Sequence, residues 1–193
     1  MKTLRLLSAI SFLLALPLSA EILVKIPGMG DPSVTVAGYN NGEWFVADSL
    51  SFGVDRVMPS NSEHGGTEDI NIGVGTPGLV TLKKPLDRAS ARLMQFAING
   101  NTPGQAEIHF VQVAPGGAVT VYLKYKLDRC FVKSWSTSGD ATNRPKEEVS
   151  FYYNRIALLY TKAPDGSAIP TASGLATWDR VSNTQWSGHG LTP

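Results

Sequence analysis

The sequence is poor in cysteine, in charge of one sign and in long apolar runs. Cys130 is the only cysteine among 193 residues, so no disulfide can form within the chain and packing alone must hold its core. The 17 basic and 16 acidic residues nearly cancel, which argues against nucleic acid or an anionic membrane as a partner, because both require clustered lysine and arginine. After residue 20, no apolar run approaches the roughly 20 residues that a membrane-spanning helix needs.

Catalytic and nucleotide-binding motifs are also missing. The sequence has no Gly-x-Ser-x-Gly, and Asp48-Ser49-Leu50 resembles the nucleophile segment of GDSL esterases without a later Asp-x-x-His. The glycine-rich stretch Gly73 to Gly78 contains Pro77 and is not followed by Gly-Lys-Ser/Thr, so it is not a phosphate-binding loop. We therefore expect no enzyme activity, no catalytic residue and no cofactor.

The three histidines do not predict a metal site. His64 lies in the acidic segment Glu63 to Asp69, which lacks the regular histidine spacing of a zinc site and is interpreted as a solvated loop. His109 lies among apolar neighbours on a predicted strand, and His189 lies in the C-terminal tail. We expect no metal ligand among them.

The first twenty residues are typical of a secretory signal. Lys2 and Arg5 precede an apolar run from Leu6 to Leu16, and Pro17-Leu18-Ser19-Ala20 supplies a small residue for cleavage after Ala20. A buried N-terminal strand is the alternative, because Leu18 is not the ideal small residue three positions before the cut. Cleavage removes 20 of 193 residues and two of 17 basic ones, leaving 173 residues with 15 basic against 16 acidic. We expect residues 21–193 to form one secreted or periplasmic domain without a membrane span.

Alternation of apolar and polar residues, broken by glycine and proline, predicts a mainly β fold. The predicted parts are a first strand at Ile22 to Ile26, a long strand from Trp44 to Val54 bulged near Asp48, a flexible loop at 59–66, a hairpin joining Gln105–Ala114 to Val119–Leu127 through Pro115-Gly116-Gly117, and a long strand from Val149 to Leu159. In the second hairpin arm, the residues of one parity from Val119 to Leu127 are predicted to face the core. Cys130 continues this pattern and should be buried.

One helix is predicted from Asp87 to Asn99. Asp87 can cap its first turn, Gly100 ends it, and the apolar residues at helical spacing are Leu86, Ala89, Leu93, Phe96 and Ala97. The densest basic group is interpreted as a solvated helix face and consists of Lys83, Lys84, Arg88 and Arg92.

Five segments resemble one known family in their order along the chain and in their local sequence. They are Ile22 to Gly28, Leu50 to Val54, Asp87 to Met94, Glu148 to Ile156 with Tyr160, and Ala176 to Asp179. Together they resemble the haemolysin-coregulated protein (Hcp) family, whose members form the inner tube of the type VI secretion system. The resemblance covers most of residues 21–182. It implies a small β-barrel of two antiparallel sheets with one flanking α-helix, and subunits that join into six-membered rings.

By this resemblance we expect a non-enzymatic structural protein whose partners are copies of itself in a hexameric ring, and other secretion-system components. Open strand edges favour assembly independently of the family. Tube subunits usually lack a cleavable signal, and the tail after Asn183 is longer than the family pattern requires, so we expect an exported relative. The alternative is an exported monomeric β-barrel module that binds a sugar or peptide. Its aromatic platforms would be Tyr39, Trp44, Trp178 and Trp186.

Overall fold

The computed structural model describes residues 19–56, 74–162 and 172–192. Its elements in chain order are β1 (Ser19–Lys25), β2 (Trp44–Ala47), β3 (Ser49–Ser51), β4 (Val54–Asp55), β5 (Thr76–Pro77), β6 (Val80–Pro85), α1 (Ser90–Asn99), β7 (Gly104–Val113), β8 (Val119–Ser138), β9 (Lys146–Lys162) and β10 (Ala172–Asp179). Most of the predicted signal and the predicted loop at 59–66 lie outside the described residues. In the described part of the chain, no helix is long and apolar enough to cross a membrane.

Eight strands form one antiparallel sheet that curls into a half-barrel. The order is β2-β1-β7-β8-β9-β6-β3, while β10 pairs with the second half of β9 and the short strands β4 and β5 form a separate pair. The end strands β2 and β3 are separated in the chain only by Asp48, so the two ends of the curled sheet meet at this residue. The predicted fold class, mainly β with one flanking helix, is confirmed for the described residues.

The prediction of a single long strand from Trp44 to Val54 is wrong. The chain kinks at Asp48, whose N–H donates to the carbonyl oxygen of Lys83 at 2.7 Å and whose carboxylate pairs with Lys146 at 2.8 Å. At the kink the chain leaves the edge of β1 and joins the edge of β6. Side-chain parity reverses there, because Phe45 and Ala47 belong to the inner core before the kink, whereas Leu50 and Phe52 pack against that core after it.

The predicted hairpin between β7 and β8 is confirmed. Gly117, at a φ of 81°, turns the chain so that the N–H of Ala114 donates to the carbonyl oxygen of Ala118 at 2.8 Å. In β8, the predicted inward direction of the odd-numbered residues holds only from Leu123 onward. The reason is a shift in the pairing register with β7 between Phe110 and Val111. This bulge turns the residues before it, Val119 and Val121, towards the outer face of the sheet.

Two apolar clusters lie on opposite faces of the sheet. The inner core is enclosed by the curled sheet and α1, and its largest fully buried side chains include Phe45, Phe151 and Tyr153. Cys130 also belongs to the inner core and is fully buried and unpaired, as predicted. Burial raises the pKa of its thiol, so the reactive thiolate is disfavoured.

The helix prediction is confirmed with a later start. α1 begins at Ser90 rather than Asp87, and Asp87 accepts the N–H of Ala89 at 2.8 Å in the turn before the helix. Gly100 ends α1 in the left-handed conformation, with a φ of 69°, and its N–H donates to the carbonyl oxygen of Phe96 at 3.1 Å. Leu93 is fully buried and packs α1 into the inner core.

The outer cluster lies beneath the connection between β1 and β2. It consists of Leu23, Val34, Val36, Tyr39, Trp44 and Val111. His109 packs edge-on against Tyr39 and lies 4.8 Å from Trp44 between ring centres. Its Nδ1 is 2.9 Å from the Tyr39 hydroxyl oxygen. Burial, together with the nearby charges of Lys124 and Lys25, lowers the pKa of His109 from 6.5 to about 4.

We expect His109 to make the protein less stable in mild acid. The unfolded chain binds a proton on this imidazole near pH 6.5, whereas the folded chain binds it only near pH 4. The free energy of unfolding should therefore fall as the pH drops from 6.5 to about 4, by on the order of 2 kcal/mol, and this contribution should level off below that window. Urea denaturation of wild type and His109→Gln across this range measures the difference. Parallel curves for the two proteins would contradict the assignment.

The C-terminal tail lies across the outer face of β8 and β9. Trp186 is buried, and its ring lies 6.0 Å from the guanidinium of Arg155 on β9. Near the end of the tail, the carbonyl oxygen of Thr192 accepts a hydrogen bond from Lys124 on β8 at 2.7 Å. The tail is therefore held against the sheet as far as Thr192.

Candidate assembly surfaces

Besides the outer sides of the short end strands β2 and β3, two longer strand edges have no paired strand within the described parts of the chain. One is the side of β10 that faces away from β9. The other is the last part of β8, residues 131–138, which extends beyond its final pair with β7 at Cys130 and Gly104. Backbone donors and acceptors on such edges pair readily with another chain. We call these the β10 edge and the β8 edge.

The β10 edge lacks the usual protection against strand pairing. Its sequence, Ala-Ser-Gly-Leu-Ala-Thr-Trp-Asp, contains no proline and no lysine, the residues that commonly block an exposed edge. Its one charged residue, Asp179, is buried in an ion pair with Arg155 at 2.7 Å and in the turn that follows the strand. Apart from Asp179, whose backbone bridges Thr184, the outer backbone of β10 has no paired strand in the described parts of the chain and can accept a partner strand.

Both edges carry large apolar side chains at the surface. Leu175 on β10 is 53% exposed, and Phe131 at the start of the β8 edge is 37% exposed. Phe131 pairs across the sheet with Tyr152 on β9, and the guanidinium of Arg180 lies 4.6 Å from the Tyr152 ring. Apolar and aromatic side chains beside an unpaired edge are typical of a surface that another protein covers.

A buried ion-pair network supports the sheet and α1. The ammonium of Lys84 on β6 lies 2.6 Å from Glu147 Oε1 on β9 and 2.7 Å from Asp87 Oδ1. Ser90 at the start of α1 donates to Glu147 Oε1 at 2.9 Å, and the indole of Trp135 on β8 donates to Glu147 Oε2 at 2.6 Å. The side chains of Lys84 and Glu147 are fully buried. The network thus connects β6, β8, β9 and α1.

This network corrects the interpretation of Lys84 as part of a solvated helix face. Lys83 is exposed and pairs with Glu148 at 3.2 Å, whereas Lys84 points inward beneath α1. The sequence did contain a signal, because Lys84 shares its parity with the core residues Val80 and Leu82. A lysine at an inward position requires a buried carboxylate partner, and sequence reasoning did not identify Glu147.

The structure locates several of the other candidate residues. Asp48 is held by Lys146, and Ser49 lies exposed on β3. The part of the glycine-rich stretch after Gly73 forms β5 and its flanks, with the N–H of Gly78 donating to the carbonyl oxygen of Gly53 at 2.9 Å. The described residues contain no group of three or more metal-ligating side chains. The acidic segment Glu63 to Asp69 lies outside them.

Three of the four aromatic platforms of a binding module are not accessible to a ligand. Tyr39, Trp44 and Trp186 are each less than one tenth exposed. Trp178 lines an apolar groove of about 290 Å³, together with Phe52, Pro77, Ile156 and Leu158. Burial therefore argues against a sugar-binding or peptide-binding face built from Tyr39, Trp44 and Trp186, whereas Trp178 remains accessible in the groove.

Comparison with known proteins agrees with this fold. The sequence profile described as "Type VI secretion system effector, Hcp" matches residues 30–160. A solved structure described as a type six secretion system protein is 19% identical, with a TM-score of 0.74 over 87% of this chain and 100% of its own. Hcp1 from Salmonella typhimurium is 19% identical, with a TM-score of 0.64 over 86% and 99%. Hcp1 from E. coli EAEC 042 is 16% identical, with a TM-score of 0.62 over 83% and 97%. No curated protein matches the sequence.

Proposed function

Because the chain belongs to the Hcp family of type VI secretion system effectors, we propose that it is a non-enzymatic structural subunit that assembles with copies of itself into closed rings, six to a ring. The observation that carries the proposal is the family profile across residues 30–160 on a fold with long strand edges that have no paired strand among the described residues. The number six comes from the family resemblance.

The two edges are suited to a head-to-side contact. The β10 edge and the β8 edge are different surfaces of one subunit, so a contact between them is heterologous and produces a ring when its rotation closes. Such a contact satisfies the unpaired backbone groups of both edges and covers Leu175 and Phe131.

We expect the protein that begins at Glu21 to have six times the monomer mass in solution. Pairing at the β10 edge and burial of Leu175 should make the ring persist at micromolar concentration. Light scattering coupled to size-exclusion chromatography measures the mass. Monomer alone across a wide concentration range would contradict the proposal.

Two lysine substitutions locate the contact. Leu175→Lys places a charge on the β10 edge and should shift the population towards monomer, because the ammonium would have to be desolvated in the ring. Val181→Lys is the matched control, since Val181 is 70% exposed and lies beyond β10 in the turn. Equal effects of the two substitutions would place the contact elsewhere.

We also propose that the ring forms outside the cytoplasm. The apolar run from Leu6 to Leu16, preceded by two basic residues, directs the chain across the inner membrane before it folds. β1 tolerates the cut after Ala20, because Glu21 to Lys25 remain paired with β7 and Ile22 to Lys25 with β2. An exported subunit is separated from a tube that is built in the cytoplasm, so this protein does not supply the firing tube in the ordinary way.

The N-terminus of the protein recovered from cell fractions tests this proposal. We expect a periplasmic or extracellular product that begins at Glu21. Replacing Leu13 and Leu14 with arginine interrupts the apolar run and should hold the full-length chain in the cytoplasm. Wild-type protein that is recovered from the cytoplasm with an intact Met1 would contradict export and would support a role as a tube subunit.

A further inference from the structure

A cleft of about 680 Å³ lies between the β1–β2 connection and the start of α1. One wall is the segment from Lys25 to Gly30, and another is Gly42 with Glu43. Arg88 and Arg92 form the remaining wall, one on the turn before α1 and one on its first turn. The two arginines are four residues apart. The cleft thus has a basic wall opposite a glycine-rich one.

Arg92 is held in place by its neighbours. Its guanidinium lies 5.5 Å from the centre of the Phe96 ring, and its Nη1 lies 3.4 Å from the carbonyl oxygen of Gly28. A Cβ at residue 28 would come within 3.2 Å of the same nitrogen, so the glycine lets the guanidinium lie directly against the backbone. A guanidinium has five N–H donors, and this arrangement leaves most of them free for a ligand.

The positive charge of this wall is not neutralised within the cleft. Lys25 pairs with Glu43, so the charges of these two residues offset each other. The Asp31 carboxylate accepts the N–H of Ser33 at 2.8 Å and lies near the backbone of Arg88, but it makes no ion pair with either guanidinium. Among the described residues, no carboxylate lies within 4.0 Å of Arg88 or Arg92. Two exposed guanidiniums therefore point to an anionic ligand.

We propose that this cleft binds an acidic peptide segment of a partner protein, with Arg88 and Arg92 each binding one carboxylate. Arg88 and Arg92 border the same cleft, so their guanidiniums can bind two acidic side chains on one face of an extended peptide, where every second residue points the same way. A guanidinium binds a carboxylate through two parallel hydrogen bonds. The volume of the cleft lies in the range of ordinary ligand sites and accommodates a few residues.

The charge of the whole chain favours a peptide over nucleic acid. The full sequence carries a formal charge of only +1, and a phosphate backbone requires a continuous basic surface to bind at physiological salt. Two isolated arginines match two carboxylates instead. The cleft is separate from the β10 and β8 edges, so this proposal stands independently of ring formation.

The experiment uses a fluorescein-labelled peptide, Gly-Glu-Ser-Glu-Gly, and fluorescence anisotropy with the protein that begins at Glu21. We expect saturable binding that weakens at least tenfold in Arg88→Gln/Arg92→Gln and at 0.5 M salt, because both ion pairs are exposed to screening. The peptide Gly-Gln-Ser-Gln-Gly should bind at least tenfold more weakly. Lys83→Gln/Arg144→Gln is the control, since it removes two exposed positive charges that lie outside the cleft and outside both strand edges. It should leave binding within twofold of wild type.

Three results would overturn the proposal. The first is an absence of binding at millimolar peptide, or an equal loss in the control pair. The second is tighter, Arg88-dependent and Arg92-dependent binding of a six-nucleotide thymidine strand, which would assign the cleft to phosphate. The third is loss of ring assembly in Arg88→Gln/Arg92→Gln, which would assign the cleft to a second copy of this chain.

Discussion

Lys84→Ala should lower the free energy of unfolding by about 3 to 5 kcal/mol, because it leaves the buried carboxylate of Glu147 without its cation. Glu147 and Lys84 are both fully buried, and their charged atoms lie 2.6 Å apart. The remaining partners of Glu147, Ser90 and Trp135, donate hydrogen bonds but carry no compensating charge. Urea denaturation followed by tryptophan fluorescence measures the loss.

Two further variants separate this mechanism from a general loss of packing. Lys83→Ala removes an exposed partner of Glu148 and should cost less than about 1 kcal/mol. The double substitution Lys84→Met/Glu147→Leu removes both buried charges at similar volume, so we expect it to recover most of the loss caused by Lys84→Ala. A double variant as unstable as Lys84→Ala would contradict the role of the unpaired charge.

Gly30→Ala should be the most damaging glycine substitution in the connection between β1 and β2. An added Cβ would overlap the carbonyl oxygen of Gly42 and lie 2.5 Å from Cα of Glu43. Both obstacles are backbone atoms, which cannot move aside as a flexible side chain can. We expect a loss of about 3 kcal/mol in the free energy of unfolding, in the range of overpacked sites.

Two control glycines distinguish overlap from backbone strain. Gly38 has a φ of 81° and open space around it, so Gly38→Ala should cost only the strain of that conformation, about 1 kcal/mol. Gly53 has open space and no such φ, so Gly53→Ala should be within about 0.5 kcal/mol of wild type. A Gly30→Ala protein as stable as Gly53→Ala would mean that the two backbone segments separate at little cost.

The elements that depend on neighbouring residues could be predicted from the sequence. Alternation identified β1 and β9, Pro115-Gly116-Gly117 identified the hairpin, and helical spacing ending at Gly100 identified α1. The burial of Cys130 followed in the same way. Each of these rests on a local periodicity or on the conformational freedom of one glycine, which the order of residues contains directly.

The candidate site was less predictable because its parts come from distant segments. The burial of Lys84 depends on Glu147, 63 residues away, and the direction of Trp44 depends on the kink at Asp48. Neither pairing is visible in a local window of sequence. The β10 edge likewise depends on distant pairing. β6 and β10 bind successive halves of one side of β9, which leaves the other side of β10 at the edge of the sheet.

The sequence by itself determined the β-rich class, the single helix with its end, the hairpin and the order of elements that resembles one family. Tertiary structure alone decided which strands pair, where parity reverses, which charges are buried and which edges stay open. The physical reason is how far apart the interacting residues lie along the chain. Turns and periodicities act over a few residues, whereas strand pairing and the desolvation of a charge such as Lys84 depend on segments far apart in the chain.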